Sequence, residues 1–362
     1  GFDGLPLAEQ EAWRELATNR AGEADAVSPI RELAHYAHLG PWDELLSALE
    51  VSYSDDPDAL EPAFGADNGL VLADLIGADF DDPRWDQLMD QMSRQELWDL
   101  VRQSGYLSDV IPSIGMPSVA LKDGPAGISA TLMGGNISCM SYPVEVVLAS
   151  TWNTELAYEM GAMVGEDSIS ANVPVWYAPA MNIHRAAISG RNFEYYSEDG
   201  VLSGAMAAAE CAGCAEKGVI VTIKHFILNN EETNARSGIY CWTNEQAFRE
   251  LYLRPFELSV KQGGANGAMS AFTHIGYKWS GANPELLQDV LRGEWGFDGM
   301  YMTDWNKTPS LIYMVLGGNN TNQNDPREMW DSDVLVEEYI AKNITRNLLE
   351  ENAIYVINSL LR

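Results

Sequence analysis

The sequence has little positive charge. Its 362 residues include 22 Lys and Arg but 53 Asp and Glu, so the net charge is −31 at pH 7. Such a charge repels nucleic acid and anionic membrane surfaces, and we therefore expect neither as a partner. A neutral or cationic small ligand fits better. Because a solvated acidic surface or adaptation to salt explains the same balance, the charge by itself names no function.

Cysteine is also scarce. The four residues, Cys139, Cys211, Cys214 and Cys241, are too few for a disulfide scaffold. Cys211 and Cys214 form a CxxC pair, but the pair lies in an Ala-rich run with helical spacing and no second pair accompanies it. We interpret both as small core residues of a helix rather than as a metal site.

Long apolar runs are missing as well. No stretch of 18 or more apolar residues occurs, so we expect no membrane span. The first residues, GFDGLPLAEQEAW, lack the basic start and apolar stretch of a signal peptide. We therefore expect a cytoplasmic protein, and secretion stays open if the chain derives from a longer precursor.

Motifs for cofactors and metals are not found. The sequence has no Walker-type phosphate loop, and no G-x-G-x-x-G pattern follows a predicted strand. The five histidines form no HExxH pattern and no close spacing with carboxylates on one helix: His35, His38, His184, His225 and His274. We expect neither a cofactor nor a resident metal.

What is present falls into two parts. Residues 1–80 contain two stretches with helical spacing, Leu7–Asn19 and Pro29–Leu39, followed by the acidic connector SYSDDPDALEPAFGADNG. We interpret this part as an N-terminal, partly helical extension or the remnant of a preceding domain. Residues 81–362 have a more regular pattern and are expected to form the main domain.

In the main domain, short apolar segments alternate with helical stretches. The apolar segments are SVALKDG, VWYAPAMN, VIVTIKHF, GAMSAF and GMYMTDW. The predicted helices are a pair joined at Ser93, whose SRQE matches a capping box, and then Asn153–Ser168, Gly200–Lys217, Asn244–Gln262 and Asn283–Trp295. This alternation predicts a parallel sheet. At least five such units favour an α/β fold of the (β/α)8 TIM-barrel type over an open doubly wound sheet.

In a TIM barrel the catalytic groups lie at the carboxyl ends of the strands. Polar residues stand at these ends in the predicted strands: Asp123, Asn182, Lys224, His225, Ser270 and Asp304. Asp304 is the candidate reactive carboxylate, and the alternative is that it caps the next helix or turn. A single histidine is more often a satisfied core residue, but the adjacent Lys224 and the polar run that follows favour a functional His225.

The residues near these strand ends suit a polyhydroxylated ring. Arg191 offers a fixed fork of donors for vicinal hydroxyls or a carboxylate. Asp123 and Asp304 supply the carboxyl groups that glycosidic cleavage requires, and Trp305 supplies an aromatic wall for the C–H face of a sugar. We expect neighbouring cations to keep Asp304 ionised, which is the state that a nucleophile needs.

Five separated segments then indicate a family. They are KDGPAGI (122–128), APAMNIHRAAISGRNFEYYSEDGVLSG (178–204), TIKHFILNNEETN (222–234), NPELLQDVLRGEWGFDG (283–299) and MTDW (302–305), and they closely resemble the barrel domain of glycoside hydrolase family 3, the β-glucosidase family. The resemblance spans roughly residues 80–362 and is specific, because all five motifs occur in the family's order. It implies a retaining glycosidase that removes terminal β-D-glucosyl or related β-glycosyl residues.

The resemblance also implies roles for single residues. Asp304 would be the nucleophile that forms a covalent glycosyl-enzyme, and Trp305 would form part of the aglycone wall. The partner would be a small β-glycoside or an oligosaccharide. The residues that would line the −1 subsite are Asp123, Arg191, Lys224, His225 and Met269.

The chain departs from the family in three respects. Ser129 stands where an arginine is frequent, and Phe272 stands where a tyrosine is common, so the preferred sugar is in question. The general acid/base of most members comes from a second, α/β-sandwich domain, and this chain resembles the permuted branch in which that domain precedes the barrel. We expect the acid to come from outside this segment, from another domain or subunit, with Glu231 or Glu232 as the weaker alternative.

Two other functions stay open. A carbohydrate-binding pseudoenzyme would keep the sugar site but lack the general acid. An unrelated barrel lyase or aldolase would use Lys224 as a Schiff-base amine. The preferred sugar, the aglycone and the formation of a homo-oligomer are also open at this point.

Overall fold

The structure, a computed structural model, describes residues 64–79, 82–102, 105–129, 137–233, 235–236, 239–276, 278–305, 314–315 and 317–323. The two helices predicted in the N-terminal extension and the first part of the acidic connector lie outside these residues. The described end of the extension packs on the main domain, because Leu75 is buried and the N–H of Leu70 donates to Gln91 at 2.9 Å. The division of the chain at residue 80 stays a prediction.

The described residues contain eight strands. They are β1 (Leu121–Asp123), β2 (Val175–Tyr177), β3 (Ile220–Phe226), β4 (Tyr240–Cys241), β5 (Gly267–Ser270), β6 (His274–Ile275), β7 (Lys278–Trp279) and β8 (Met300–Met302). Five of them pair in parallel in the order β1-β2-β3-β5-β8. Asp123 lies opposite Tyr177, and Met269 lies opposite Met302.

The order of the strands distinguishes a barrel from an open sheet. Each step across the five-stranded sheet leads to a strand that comes later in the chain. A doubly wound sheet reverses this order at a switch point, whereas a barrel adds its strands in one direction. The predicted α/β fold of TIM-barrel type is therefore confirmed over the doubly wound alternative.

The two edges of this sheet curve towards each other. Beyond β8, Met302 forms a parallel bridge with Thr321. Beside β1 runs the segment that begins at Gly105, and a Cβ placed on Gly105 would lie 2.8 Å from the carbonyl oxygen of Gln323. Among the described residues the strands do not form a closed ring, but the segments at the two edges meet.

Helices alternate with the strands. They are α1 (Arg84–Gln91), α2 (Arg94–Arg102), α3 (Glu145–Ala149), α4 (Thr154–Ala171), α5 (Gly200–Ala215), α6 (Glu245–Ala247) and α7 (Arg254–Lys261). A π-helical segment, Phe248–Leu253, joins α6 to α7, and a second one spans Glu285–Glu294. Short 3₁₀ turns occupy Leu72–Leu75, Pro112–Ile114, Asn192–Glu194 and Ser280–Ala282. The helices predicted in the main domain are confirmed, with ends that differ by a few residues.

Side-chain caps explain why these helices begin where they do. The N–H of Ser93 donates to Glu96 at 2.8 Å and the N–H of Glu96 donates to the Ser93 hydroxyl at 3.2 Å, which is the predicted capping box. The side chains of Asn153 and Asp199 each accept two backbone N–H groups of the first turn. Each such cap stabilises its helix by about 1 kcal/mol.

The core beneath the sheet centres on Phe226 at the end of β3. Its ring is in edge-to-face contact with Phe256, Trp295 and Tyr301 at centroid distances of 5.1, 5.9 and 6.1 Å. Replacing such a buried phenylalanine by alanine costs about 3–5 kcal/mol. This packing fixes the end of the strand that carries Lys224 and His225.

Helix α5 packs closely on α4. Cys211 and Cys214 are fully buried in α5 and form no disulfide, so the interpretation as small core residues is confirmed. A Cβ on Gly161 of α4 would lie 2.0 Å from the carbonyl oxygen of Glu210 in α5. Only glycine permits this approach of the two backbones.

The remaining strands form a small separate sheet in the order β4-β6-β7. Within it, Tyr240 stacks on His274 with ring centroids 4.5 Å apart. In the part of the chain that the structure describes, no helix is long and apolar enough to cross a bilayer.

Candidate active site

The carboxyl ends of three parallel strands bring four of the predicted site residues together. Asp123 is the last residue of β1, Lys224 and His225 lie near the end of β3, and Asp304 follows β8 by two residues. Parallel strands end at the same edge of a barrel-type sheet, so residues far apart in the chain converge there.

Lys224 and Asp123 form a buried ion pair. The Nζ atom of Lys224 donates to Oδ1 of Asp123 at 3.0 Å, and the hydroxyl of Tyr106 donates to the other oxygen. Burial opposes ionisation of Asp123, but Lys224, Tyr106 and Arg191 outweigh it and hold the pKa of this carboxyl below its usual value. Asp123 is therefore an ionised acceptor with lone pairs left for a ligand hydroxyl.

The hydrogen bonds of His225 define its protonation state. An Nη atom of Arg191 lies 3.0 Å from Nε2, and the hydroxyl oxygen of Tyr195 lies 3.1 Å from Nδ1. A guanidinium can only donate, so Nε2 accepts and the ring proton is on Nδ1. Burial and the charges of Arg191, Lys224 and Arg236 hold the pKa of His225 well below 6.5. The imidazole is neutral.

Lys224 and His225 both contact the site although they are adjacent in a strand. Regular alternation would direct them to opposite faces. The pairing of β3 with β5 shifts register between Ile223 and Phe226, and this irregularity spans the two residues. The strand is therefore irregular at these two positions, which allows Lys224 and His225 to contact the same site.

One carboxylate oxygen of Asp304 accepts a hydrogen bond and the other does not. Its Oδ1 accepts the N–H of Trp305 at 2.6 Å. Its Oδ2 lies 3.6 Å from Nε2 of His225 and 4.0 Å from a guanidinium nitrogen of Arg236, and it accepts no hydrogen bond from a described residue. This oxygen has the lone pairs that an attack on carbon requires.

The pKa of Asp304 is shifted upward, against the effect of the neighbouring cations. Burial raises its pKa, and Arg191, Arg236, Lys224 and the N–H of Trp305 only reduce that effect. The cations favour the ionised form as expected, but the net direction is upward. The physical reason is that the side chain is only 9% exposed while each guanidinium is also shared with another carboxylate.

Arg191 is held by three protein groups. It forms ion pairs with Glu194 and with Glu232, the second at 2.7 Å, and it donates to His225. A guanidinium has five N–H groups, so two remain for a ligand. The predicted site residue is thus placed beside His225 in a fixed orientation.

Glu232 joins the two arginines of the site. It accepts from Arg191, from Arg236 at 2.9 Å and from Asn229 at 2.8 Å. Burial alone would raise its pKa, but these donors lower it, Arg191 most. An ionised carboxylate with its oxygens engaged is a poor proton donor. Glu232 therefore orients the arginines, and the sequence alternative that made it the general acid is not supported.

Arg236 and Tyr106 are site residues that sequence reasoning missed. The guanidinium of Arg236 lies 4.5 Å over the ring of Phe272, so the phenylalanine packs against a cation where the family often has a hydroxyl. Arg236 was within a polar run after the Lys-His pair, which was a usable signal. Tyr106 precedes β1 and ends no strand, so only the fold connects it with Asp123.

The remaining predicted residues are placed as follows. Trp305 is half-buried next to Asp304, with its ring 5.5 Å from that of Tyr106. Met269 is buried in β5 beside β8, and its contact with a sugar stays a prediction. The Asn182 side chain exchanges two hydrogen bonds of 2.9 Å with the backbone of His225, so it supports the site rather than facing a ligand.

Comparison with known proteins gives the family. The profile of the glycosyl hydrolase family 3 N terminal domain matches residues 96–322. The chain belongs to glycosyl hydrolase family 3. The family 3 relatives include β-glucosidase A of Butyrivibrio fibrisolvens, 39% identical over 210 residues that cover 58% of this chain and 25% of that protein. A β-glucosidase of Rhizobium radiobacter is 39% identical over 236 residues, 64% of this chain and 29% of that protein.

Solved family 3 structures agree with the fold. β-Glucosidase 3B from Thermotoga neapolitana, in complex with α-D-glucose, superposes with a TM-score of 0.70 at 34% identity over 76% of this chain and 42% of that one. A β-glucosidase from Paenibacillus barengoltzii superposes with a TM-score of 0.73 at 27% identity, and the match covers 84% of this chain and 35% of that one. The chain spans only 25% and 29% of the length of the two curated relatives.

Proposed function

We propose that this family 3 domain binds a terminal β-D-glucosyl or related β-glycosyl residue and cleaves its glycosidic bond through a covalent intermediate on Asp304. The observation that carries the proposal is the Oδ2 atom of Asp304, which accepts no hydrogen bond from a described residue and lies 3.6 Å from the neutral His225 and 4.0 Å from Arg236. The relatives named as β-glucosidases, and the glucose in the T. neapolitana structure, support the choice of sugar.

The proposed reaction has two displacements. The Oδ2 atom of Asp304 forms a bond to the anomeric carbon while the bond to the aglycone oxygen breaks, and that oxygen takes a proton from a general acid. Water then attacks the anomeric carbon, the bond from that carbon to Oδ2 breaks and releases the Asp304 carboxylate, and the former acid, now a base, takes the proton of the water. The charge of the oxocarbenium-like transition state is stabilised by the carboxylate, which is why Asp304 must be ionised when it reacts.

The other residues hold the sugar in place. Asp123 accepts from ring hydroxyls, while Lys224 and the two unused N–H groups of Arg191 donate to them. These bonds accelerate the reaction only as far as they strengthen in the transition state. We assign Met269 to the lining of the same subsite and Trp305 to the aglycone side.

The general acid is proposed to come from outside residues 1–362, on another domain or a partner subunit. The engagement of Glu232 with both arginines supports this, because it removes one candidate within the chain. Glu231 is the alternative within the chain. Loss of such an acid costs about 10²–10⁴-fold in rate for a leaving group that needs protonation, and far less for a dinitrophenolate.

A sugar-binding protein without turnover is the second candidate. The observation that favours it is the same engaged Glu232, since a sugar site without an acid cannot protonate the leaving oxygen of an ordinary glycoside. A Schiff-base enzyme is not supported, because the Lys224 ammonium is buried in an ion pair with Asp123 and has no free lone pair.

One experiment distinguishes these functions. The full chain is mixed with 2,4-dinitrophenyl β-D-glucoside, and the first-formed sugar is identified by NMR, while calorimetry measures the binding of a glucose-like imino sugar. We expect β-glucose as the first product and binding of the imino sugar. Binding without release of dinitrophenolate would establish the non-catalytic alternative, and α-glucose as first product would exclude the covalent intermediate.

A further inference from the structure

Two glutamates that the proposed reaction does not use are completely buried. Glu145 is the first residue of α3 and Glu210 lies in the middle of α5, and neither has any exposed surface. Both oxygens of Glu145 and Oε1 of Glu210 accept no hydrogen bond from another described residue. The two helices that carry these residues pack against each other, and the charge of Glu210 acts on Glu145.

Among the described residues, Lys224 is the cation whose charge acts on Glu145. The groups that act on Glu145 are Glu210, Glu194 and Lys224, and the ammonium of Lys224 is already paired with Asp123. Glu210 faces the Tyr196 hydroxyl and the thiols of Cys211 and Cys214, which are neutral groups. Burial of an unpaired carboxylate is costly, so burial favours the neutral form of both carboxyls.

Glu210 is connected to the site through one short segment. The hydroxyl of Tyr196 donates to Oε2 of Glu210. The preceding residue, Tyr195, contacts Nδ1 of His225, and Arg191 at the start of the segment contacts Nε2. Residues 191–196 therefore lie between the glutamate pair on one side and His225 on the other.

We propose that Glu145 and Glu210 are protonated in the folded chain and that they position the segment 191–196 beside the site. Glu210 in its neutral form accepts the Tyr196 hydroxyl and so keeps residues 191–196 in place, with Arg191 and Tyr195 against His225. An effect of this pair on sugar affinity rests on the proposed function. The protonation of the two glutamates and the positioning of residues 191–196 do not.

The two glutamates should make the free energy of unfolding fall as pH rises. Burial raises the pKa of Glu210 from 4.5 to about 8, and burial together with Glu210 raises that of Glu145 well above 4.5. The folded chain then binds more protons than the unfolded chain above pH 4.5. The stabilisation is complete below the unfolded pKa and is lost as pH rises through the folded one.

The first test is urea unfolding of the full chain at about pH 5.5, 6.5 and 7.5. Glu210→Gln keeps the shape of the neutral acid but cannot lose a proton. The unfolding constant of the wild type divided by that of the variant should rise about tenfold per pH unit. Glu159→Gln is the same substitution at an exposed position of α4, and its unfolding constant should follow that of the wild type at all three pH values. A ratio that does not change with pH overturns the proposal.

The second test is hydrogen exchange of residues 191–196 in the wild type and in Tyr196→Phe, at one pH. Loss of the hydroxyl should speed exchange there several-fold while α4 is unchanged, and equal exchange overturns the positioning role. If Glu210→Gln does not fold, Glu145→Gln gives the same pH test. Calorimetry then measures the binding of the imino sugar to the wild type and to Tyr196→Phe. Binding to neither protein refutes the proposed function. Binding to the wild type that is several-fold tighter than to Tyr196→Phe supports the connection between residues 191–196 and the sugar site.

Discussion

The Nε2 atom of His225 lies 3.6 Å from Oδ2 of Asp304, which is close but not a hydrogen bond. Two charged groups at this distance would form an ion pair. The imidazole is neutral, because its Nε2 accepts from Arg191 and its pKa is held far below the usual value. The neutral imidazole of His225 therefore forms no ion pair with Asp304, and the Oδ2 atom stays available for a ligand.

Asp304→Ala should abolish release of dinitrophenolate from the β-glucoside, by on the order of 10⁴-fold, because no covalent intermediate forms. Added azide should restore part of the rate by entering the space of the carboxylate and giving the α-glucosyl azide. The control is Asp289→Asn, an exposed aspartate, which should keep full activity. Unchanged turnover in Asp304→Ala would exclude this residue as the nucleophile.

Arg236→Gln should move the acidic limb of the kcat/KM profile to higher pH. Arg236 is one of the cations that lower the pKa of Asp304 against the effect of burial. Without it the pKa rises further, a smaller fraction of Asp304 is ionised at a given pH, and activity fails earlier on acidification. Arg249→Gln removes an exposed arginine that pairs with Glu294 and should leave the limb in place.

His225→Gln should make the stability less sensitive to acid. The folded pKa of His225 is far below 6.5, so below pH 6.5 the unfolded chain binds a proton that the folded chain does not. Each pH unit below 6.5 then costs the wild type about 1.4 kcal/mol that the variant does not lose. Urea unfolding at about pH 7.5 and 5.5 measures the difference. Parallel losses in both proteins would mean that His225 is protonated in the fold.

Asp123→Asn should lower the free energy of unfolding by about 3 kcal/mol, because it leaves the Lys224 ammonium buried without a counter-charge. Replacing both residues, as Asp123→Asn with Lys224→Met, should recover part of that loss while sugar affinity stays lost.

The control for the ion pair is Glu257→Gln, which breaks the partly exposed pair with Lys261. It should cost less than about 1 kcal/mol, since exposed ion pairs contribute little. If Asp123→Asn costs no more than this control, Lys224 does not depend on Asp123.

Several features of the chain were predictable because their causes are local. The Ser93 capping box, the caps at Asn153 and Asp199 and the apolar segments that became β1, β2, β3, β5 and β8 depend on residues within one turn or one strand of each other. The resemblance of five motifs to family 3 was confirmed by the match over residues 96–322. Asp123, Lys224, His225 and Asp304 were candidates because polar groups follow buried strands, and the structure brings these four together.

Only the tertiary structure decided how the charges combine. Lys224 and Asp123 are 101 residues apart in the chain, and Arg191 and Glu232 are 41 apart, so no local pattern links them. The same holds for the ionisation of Asp304, where burial exceeded the effect of the cations. The sequence by itself determined which groups reach the edge of the sheet, since strand period and capping act over a few residues. Their pairing and protonation depend on burial and on distances of a few ångströms, which exist only in the folded chain.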